Sequence, residues 1–294
     1  MISRELYAKI KYIDITTSRL VESVFAGEYH SVFKGKGIEF DEVREYMPGD
    51  DIRDIDWNVT AKTGVPYTKR YVESRELTVM LLIDVSASEY FGTAQKQKSE
   101  IIAEICAVLA FSAIKNNDRV GVLFFTDQVE KFITPQKGKR HVLRAIREIL
   151  SFKPRGKGTD IGAALKALNQ IVPKRATVFL FSDFFTSGYE KLLKISHRKH
   201  DMIGVVVEDD REAEFPKVGA IELVDAESGR RLYFNSSSGR FRKRFSKLCK
   251  DSVEERNHLF DSIRMDHIEI RARENFVDPL IRFFKRRERK ARNV

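Results

Sequence analysis

From residue 76 onward, short apolar runs alternate with stretches of helical period. Residues 77–83 (LTVMLLI) form a near-continuous apolar run, the pattern of a strand buried on both faces. Residues 94–115 then carry Ile101, Ile105, Val108, Leu109 and Ser112 on one helical stripe. The runs 119–126 (RVGVLFFT) and 129–134 predict two strands joined by a short turn. A helix over 141–150 follows, and a Gly-containing loop (RGKGTD) opens another at 161–171. Further strands are predicted at 176–182, 202–207 and 267–270, with helices at 189–200 and 241–263 between them. Such repeated strand–helix units imply an α/β fold with a doubly wound, mostly parallel sheet and helices on both faces.

Two stretches break the pattern. In 219–234, two alternating runs flank Glu227-Ser228-Gly229 and predict a hairpin added to the sheet. Residues 1–75 open with an amphipathic helical pattern (Leu6, Ile10, Ile13, Leu20) and become turn-rich, with Gly35, Gly37, Pro48, Gly49, Gly64 and Pro66. Phe33, Phe40, Tyr46, Trp57 and Tyr67 argue that this stretch is a smaller, turn- and β-rich extension packed on the α/β core. The expected division is therefore an extension over 1–75 and an α/β domain over 76–294 with a basic helical end.

In open α/β sheets, ligands bind beyond the carboxyl ends of the strands, where the winding reverses. At those ends lie Asp84-Val85-Ser86-Ala87-Ser88, Gly158-Thr159-Asp160 and Asp183. Asp84, Ser86, Ser88, Thr159 and Asp183 supply two carboxylates and three hydroxyls, an all-oxygen set suited to a hard cation such as Mg²⁺. Singly, Ser88 and Thr159 also read as helix caps and Asp183 as a partner for loop amides; Asp160 reads as a favourable charge at a helix start.

The five residues, in this order, resemble the metal-ion-dependent adhesion site of von Willebrand factor A domains, a Rossmann-like fold. The resemblance implies that Ser86, Ser88 and Thr159 ligate Mg²⁺ directly, with Asp84 and Asp183 acting mostly through bound waters. Mn²⁺ or Ca²⁺ suits the same donors. One coordination position would remain open for a partner's acidic side chain. The run from Phe40 to Trp57, within EFDEVREYMPGDDIRDIDW, is similar to the hallmark of the bacterial domain of unknown function 58 family, whose members carry a von Willebrand factor A-like domain. Ala61, Lys62, Tyr67, Lys69, Arg70 and Glu73 to Leu77 extend the likeness. It implies a protein-interaction or adaptor role beside a MoxR-type AAA+ ATPase or its client, in protein assembly or maturation.

Within the hallmark, Pro48-Gly49 predicts a type II turn. Asp50, Asp51, Asp54 and Asp56 crowd four carboxylates together, near Arg44, Arg53 and Arg70. A calcium loop would place glycine at its sixth position, which this stretch lacks. A clamp of salt bridges and turn hydrogen bonds, with Trp57 buried, is the favoured reading over a second metal site.

No nucleophile elbow, zinc-protease helix or Walker A loop is present, so no enzyme is expected. A hydrolase using Asp84 and Asp183 around Mg²⁺ would lack an evident general base. Cys106 and Cys249 are too few for a disulfide scaffold, and Cys106 lies in an apolar helical pattern as a small core residue. His197 and His200 are expected to complement a helix C-terminus. No apolar run approaches the ~20 residues of a membrane span, and the N-terminus lacks a signal-peptide pattern, so a cytoplasmic protein is expected.

Net charge enters last, because it changes less than it promises. The chain is formally +10, yet residues 1–228 are neutral, with 34 basic and 34 acidic side chains. Residues 229–294 hold 19 basic and 9 acidic side chains. That region, including Arg240, Arg242, Lys243, Arg244 and the run from Lys285 to Arg292, supports an alternative role in nucleic-acid or anionic-membrane binding. A docked final helix with a basic outer face explains 276–289 equally well, with Leu280, Ile281, Phe283 and Phe284 turned inward.

Overall fold

A computed structural model describes residues 4–21, 39–72, 76–86, 97–209, 217–224 and 231–292. By backbone proximity the chain divides into two units, Phe33–Leu77 and Met1–Val32 with Thr78–Val294. The first helix, α1 (Arg4–Leu20), thus belongs with the α/β unit and not with the turn-rich segment. The sequence division at residue 75 had grouped them together.

The smaller unit pairs β1 (Glu39–Glu45) antiparallel to β2 (Tyr67–Val72), with the short helix α2 (Trp57–Thr63) between them. The Met47-Pro48-Gly49-Asp50 turn closes with the Asp50 amide on the Met47 carbonyl at 3.0 Å, and Gly49 takes φ +112°. Its carboxylates are used locally. Asp50 accepts from the Met47 amide (2.9 Å) and the Arg44 guanidinium (2.6 Å), which holds its pKa below the ordinary value. Asp51 caps a 3₁₀ turn at Ile52–Asp54 through the Arg53 amide, and Asp56 caps α2 through the Asn58 and Val59 amides. The salt-bridge and turn clamp is therefore seen. Trp57, expected to be buried, is 66% exposed. A two-stranded ribbon with one short helix makes no interior able to hold an indole, and no residue of α2 is buried.

The larger unit continues with β3 (Thr78–Asp84), α3 (Lys98–Lys115), β4 (Arg119–Phe125), β5 (Val129–Gln136), α4 (Lys139–Ser151), α5 (Ile161–Ile171), β6 (Thr177–Phe181), α6 (Glu190–Lys199) and β7 (Asp201–Glu208). After the hairpin β8 (Ala220–Val224) and β9 (Arg231–Asn235) come α7 (Gly239–Ser262), β10 (Asp266–Arg271) and α8 (Val277–Arg292). Six strands form one sheet in the order β10-β7-β6-β3-β4-β5, parallel except for β5. The hairpin was expected to join this sheet and instead stands as a separate two-stranded sheet. β10 takes the edge beside β7.

Strand alternation splits the core. Met80, Leu82, Leu123, Phe125, Val178 and Leu180 pack with Leu165 and Leu168 of α5, Leu193 of α6 and Phe260 of α7. Val79, Leu81 and Ile83, the alternate residues of β3, are equally buried on the opposite face. α3 is apolar nearly all round, Cys106 included, and so needs cover on its outer side as well. α1 and α4 supply part of that cover, with Ile13 of α1 buried and Asp14 bonded to Lys139. At the other edge, buried Arg256 of α7 bridges Glu208 and Glu269 at 3.2 and 2.7 Å. Arg287 of α8 bridges Asp201 and Asp266 at 2.6 and 3.0 Å, above buried Leu280, Phe283 and Phe284.

His200, at the end of α6, is fully buried and its Nδ1 accepts the Ala176 amide at 3.3 Å. Burial first, and then Lys199 and Arg175, push its pKa down to about 4, so it is neutral and does not oppose the helix dipole as expected. The unfolded chain takes up this proton near the ordinary value of about 6.5. The stability His200 contributes is therefore present above about pH 6.5 and lost as pH falls toward about 4, on the order of 3 kcal/mol in all. Urea titrations across that window should show a shallower loss of stability for His200→Gln than for the wild type.

Candidate metal centre

β3 is the middle strand from which the sheet winds both ways: α3 leads on to β4, whereas α4 and α5 carry the chain back to β6 on the other side. The crevice of such a sheet opens at the carboxyl ends of those strands. Asp84 ends β3, and Asp183 lies just beyond β6. Parallel register pairs Ile83 with Phe181, so Asp84 and Ser182 emerge side by side. The Ser182 hydroxyl donates to Asp84 Oδ2 at 2.8 Å, and the Ser86 amide donates to Oδ1 at 2.9 Å. Asp84, Ser86 and Ser182 are all buried.

The donors to Asp84 among the described residues are neutral, and no Lys or Arg pairs with it there. Burial raises its pKa to about 6, the Asp183 charge pushes in the same direction, and the bonds from Ser86 and Ser182 pull back. Asp183 is half-buried, and its Oδ1 accepts the Phe185 amide at 3.0 Å. Between them Phe184 takes φ +61°, a strained value for a bulky residue. Its buried ring, edge-on to Phe260 at 5.0 Å, holds it there.

Thr159 arrives on the loop before α5. Its carbonyl accepts from the Thr186 hydroxyl at 3.4 Å, joining this loop to the one that carries Asp183. Asp160 caps α5 through the Ala163 amide at 2.9 Å, as expected. Ser88 lies outside the described residues. Asp84 at the end of β3 and Ser86, Thr159 and Asp183 on the loops thus lie at one end of the sheet. Among the described residues no three His, Cys, Asp or Glu side chains converge, so a cation here would depend on hydroxyl and water oxygens as well.

Sequence reasoning missed three supporting residues. Ser182 was legible as the neighbour of Asp183, but not its bond to Asp84. Glu130 and Thr126 carry no local signal at all. Glu130 Oε1 accepts the Arg155 and Gly156 amides at 3.1 and 2.7 Å and the Thr126 hydroxyl at 2.9 Å. Burial raises the Glu130 pKa, but these hydrogen bonds outweigh it and leave the group below its ordinary value. The Asp160 amide donates to the Thr126 carbonyl at 2.9 Å. A Cβ on Gly156 would meet Asp127 Oδ1 at 2.0 Å and Thr126 Oγ1 at 2.2 Å. Gly156→Ala should therefore loosen the 155–160 loop: amide exchange at Asp160 speeds up while exchange in β3 stays at the wild-type rate.

No helix among the described residues is long and apolar enough to cross a membrane. Uncharacterized protein Rv1480 of Mycobacterium tuberculosis is 31% identical over 228 residues, covering 76% of this chain and 72% of the relative. Uncharacterized protein Mb1516 of Mycobacterium bovis matches to the same extent. Among solved structures, the hypothetical protein BatB from Bacteroides thetaiotaomicron is 14% identical, covers 72% of this chain and 99% of its own, and superposes with a TM-score of 0.44. An aerotolerance-related membrane protein from Bacteroides fragilis is 16% identical over 73% of this chain and 99% of its own, with a TM-score of 0.43. The family model for protein of unknown function DUF58 matches residues 42–255, and the chain belongs to that family.

Proposed function

We propose that this chain is a non-enzymatic protein-interaction module of the von Willebrand factor A kind, working through a Mg²⁺-dependent adhesion-type site. The observation that carries the reading is Asp84, a buried carboxylate with neutral donors among the described residues, within reach of the Asp183 charge at the point where the sheet's winding reverses. A buried negative charge without a countercharge is costly, and a divalent cation removes that cost. Ser86, Ser88 and Thr159 would hold the ion directly, and Asp84 and Asp183 through water. The bound ion would supply an open position for a partner's carboxylate. By family resemblance the partner is a MoxR-type AAA+ ATPase or its client, in protein assembly or maturation.

The metal step has a thermal signature. In metal-free buffer near neutral pH, Asp84→Asn should melt higher than the wild type, because the buried charge is gone. Mg²⁺ narrows that gap. At tenfold excess over Kd it raises the wild type by about 2–3 °C and leaves Asp84→Asn unmoved. Thr159→Ala keeps the buried charge, so it should melt like the wild type without metal and lose most of the Mg²⁺ response. A wild type indifferent to Mg²⁺, Mn²⁺ and Ca²⁺ overturns the site. For the partner, capture of a MoxR-type ATPase should be lost both with EDTA and in Asp84→Asn; capture that survives both overturns the bridge.

A further inference from the structure

α7 is built in two halves. Its second half belongs to the core, where Arg256 and Phe260 are buried. Its first half, 239–250 (GRFRKRFSKLCK), contributes no buried residue and carries Arg240, Arg242, Lys243, Arg244, Lys247 and Lys250 with no acidic side chain. Phe241 stacks on Phe234 of β9 at 4.8 Å and on Phe245 at 6.3 Å, so the aromatic side of this half faces the hairpin. Arg242 is tied to the Ser236 carbonyl at 2.6 Å. The other five cations are exposed. At about 100° per residue they fall within one third of the helix circumference, along on the order of 15 Å of its length.

This arrangement works against the helix. Arg240 and Arg242 stand in the first turn, where the dipole favours acids, and the first turn has none. Arg240 and Arg244, and Lys243 and Lys247, are like-charge neighbours four residues apart, which is also unfavourable. None of the five exposed cations has an ion-pair partner among the described residues. The basic residues of α8 differ. Arg287 and Lys290 pair with Asp201 and Asp266, Arg286 bonds the His267 carbonyl, and the group sits toward the helix C-terminus, where cations are favoured. The fold thus uses Arg286, Arg287 and Lys290 of α8 to tie that helix to the sheet edge, whereas the five exposed cations of 239–250 make no ion pair among the described residues.

We propose that the first half of α7 is a docking surface for the phosphate backbone of nucleic acid, separate from the metal centre. Duplex DNA presents one charge per about 1.7 Å of axis, so the stripe spans several phosphates at once. A lipid surface would need apolar side chains to insert, but Phe241 stacks on the hairpin and on Phe245, and within 239–250 only Leu248 is well exposed. A protein partner would need a packed apolar anchor at the centre of the contact, and the stripe presents only cations there.

The test is fluorescence anisotropy of the full chain with a short labelled DNA duplex of mixed sequence. Binding is expected at about 50 mM salt and should weaken on the order of 100-fold by about 200 mM. Arg244→Ala/Lys247→Ala should weaken binding at least tenfold and lower the salt slope by about 2. Arg282→Ala/Arg289→Ala removes the same charge from α8 and should leave the slope unchanged. Equal loss in both double variants, no binding at low salt, or competition by polyglutamate as strong as by unlabelled DNA each overturns the proposal. So does binding to phosphatidylglycerol vesicles in the absence of DNA binding.

Discussion

Asp84 is held inside the protein at the end of the middle strand by the Ser86 amide and the Ser182 hydroxyl. An isolated charge at such depth is unfavourable by several kcal/mol, and the surrounding structure must absorb or answer it. Much of the larger unit can be read from that constraint. β3 is buried along nearly its whole length, which fixes where its last residue stands. The pairing of Ile83 with Phe181 brings Ser182 alongside. A slip of one residue between β3 and β6 would turn the partner residue to the opposite face and leave the carboxylate without its hydroxyl. The strained backbone at Phe184 and the Glu130 contacts to the 155–160 loop hold two further loops beside the same crevice.

The positive charge divides along similar lines. Arg256 and Arg287 act as internal staples, each bridging two acids on strands β7 and β10 and so fixing α7 and α8 to the sheet edge. The basic residues of 239–250 have no such task among the described residues. Net charge, taken over the chain or even over its last 66 residues, hides this division. Two helices of similar composition have different energetics because one carries its cations at the dipole's negative end, next to acids, and the other at its positive end.

The hallmark segment shows how far local chemistry can be read. Pro48-Gly49 made the expected turn, and the four-aspartate run resolved into caps and a salt bridge, as the nearby arginine and turn signals implied. Trp57 was misjudged because burial is not local. An indole is buried only where other elements close over it, and the small unit offers a two-stranded ribbon and one short helix. His200 failed for the reverse reason. Its place at a helix end suggested a cation, but surrounding it with core made the neutral ring the stable form.

Strand and helix identity, the parallel sheet and the positions of Asp84, Thr159 and Asp183 at strand and helix ends followed from periodicity and from residue type at the turns. Those are properties of neighbours along the chain, and the sequence states them. Tertiary structure alone decided that the hairpin stays off the main sheet and that α1 packs with α3 and α4. It also decided that Ser182 and Glu130 support the crevice, and that Arg256 and Arg287 meet acids on β7 and β10 while the exposed cations of 239–250 meet none among the described residues. Each of these rests on pairings between residues tens of positions apart, and no local pattern encodes which partner a buried carboxylate or an exposed cation will meet.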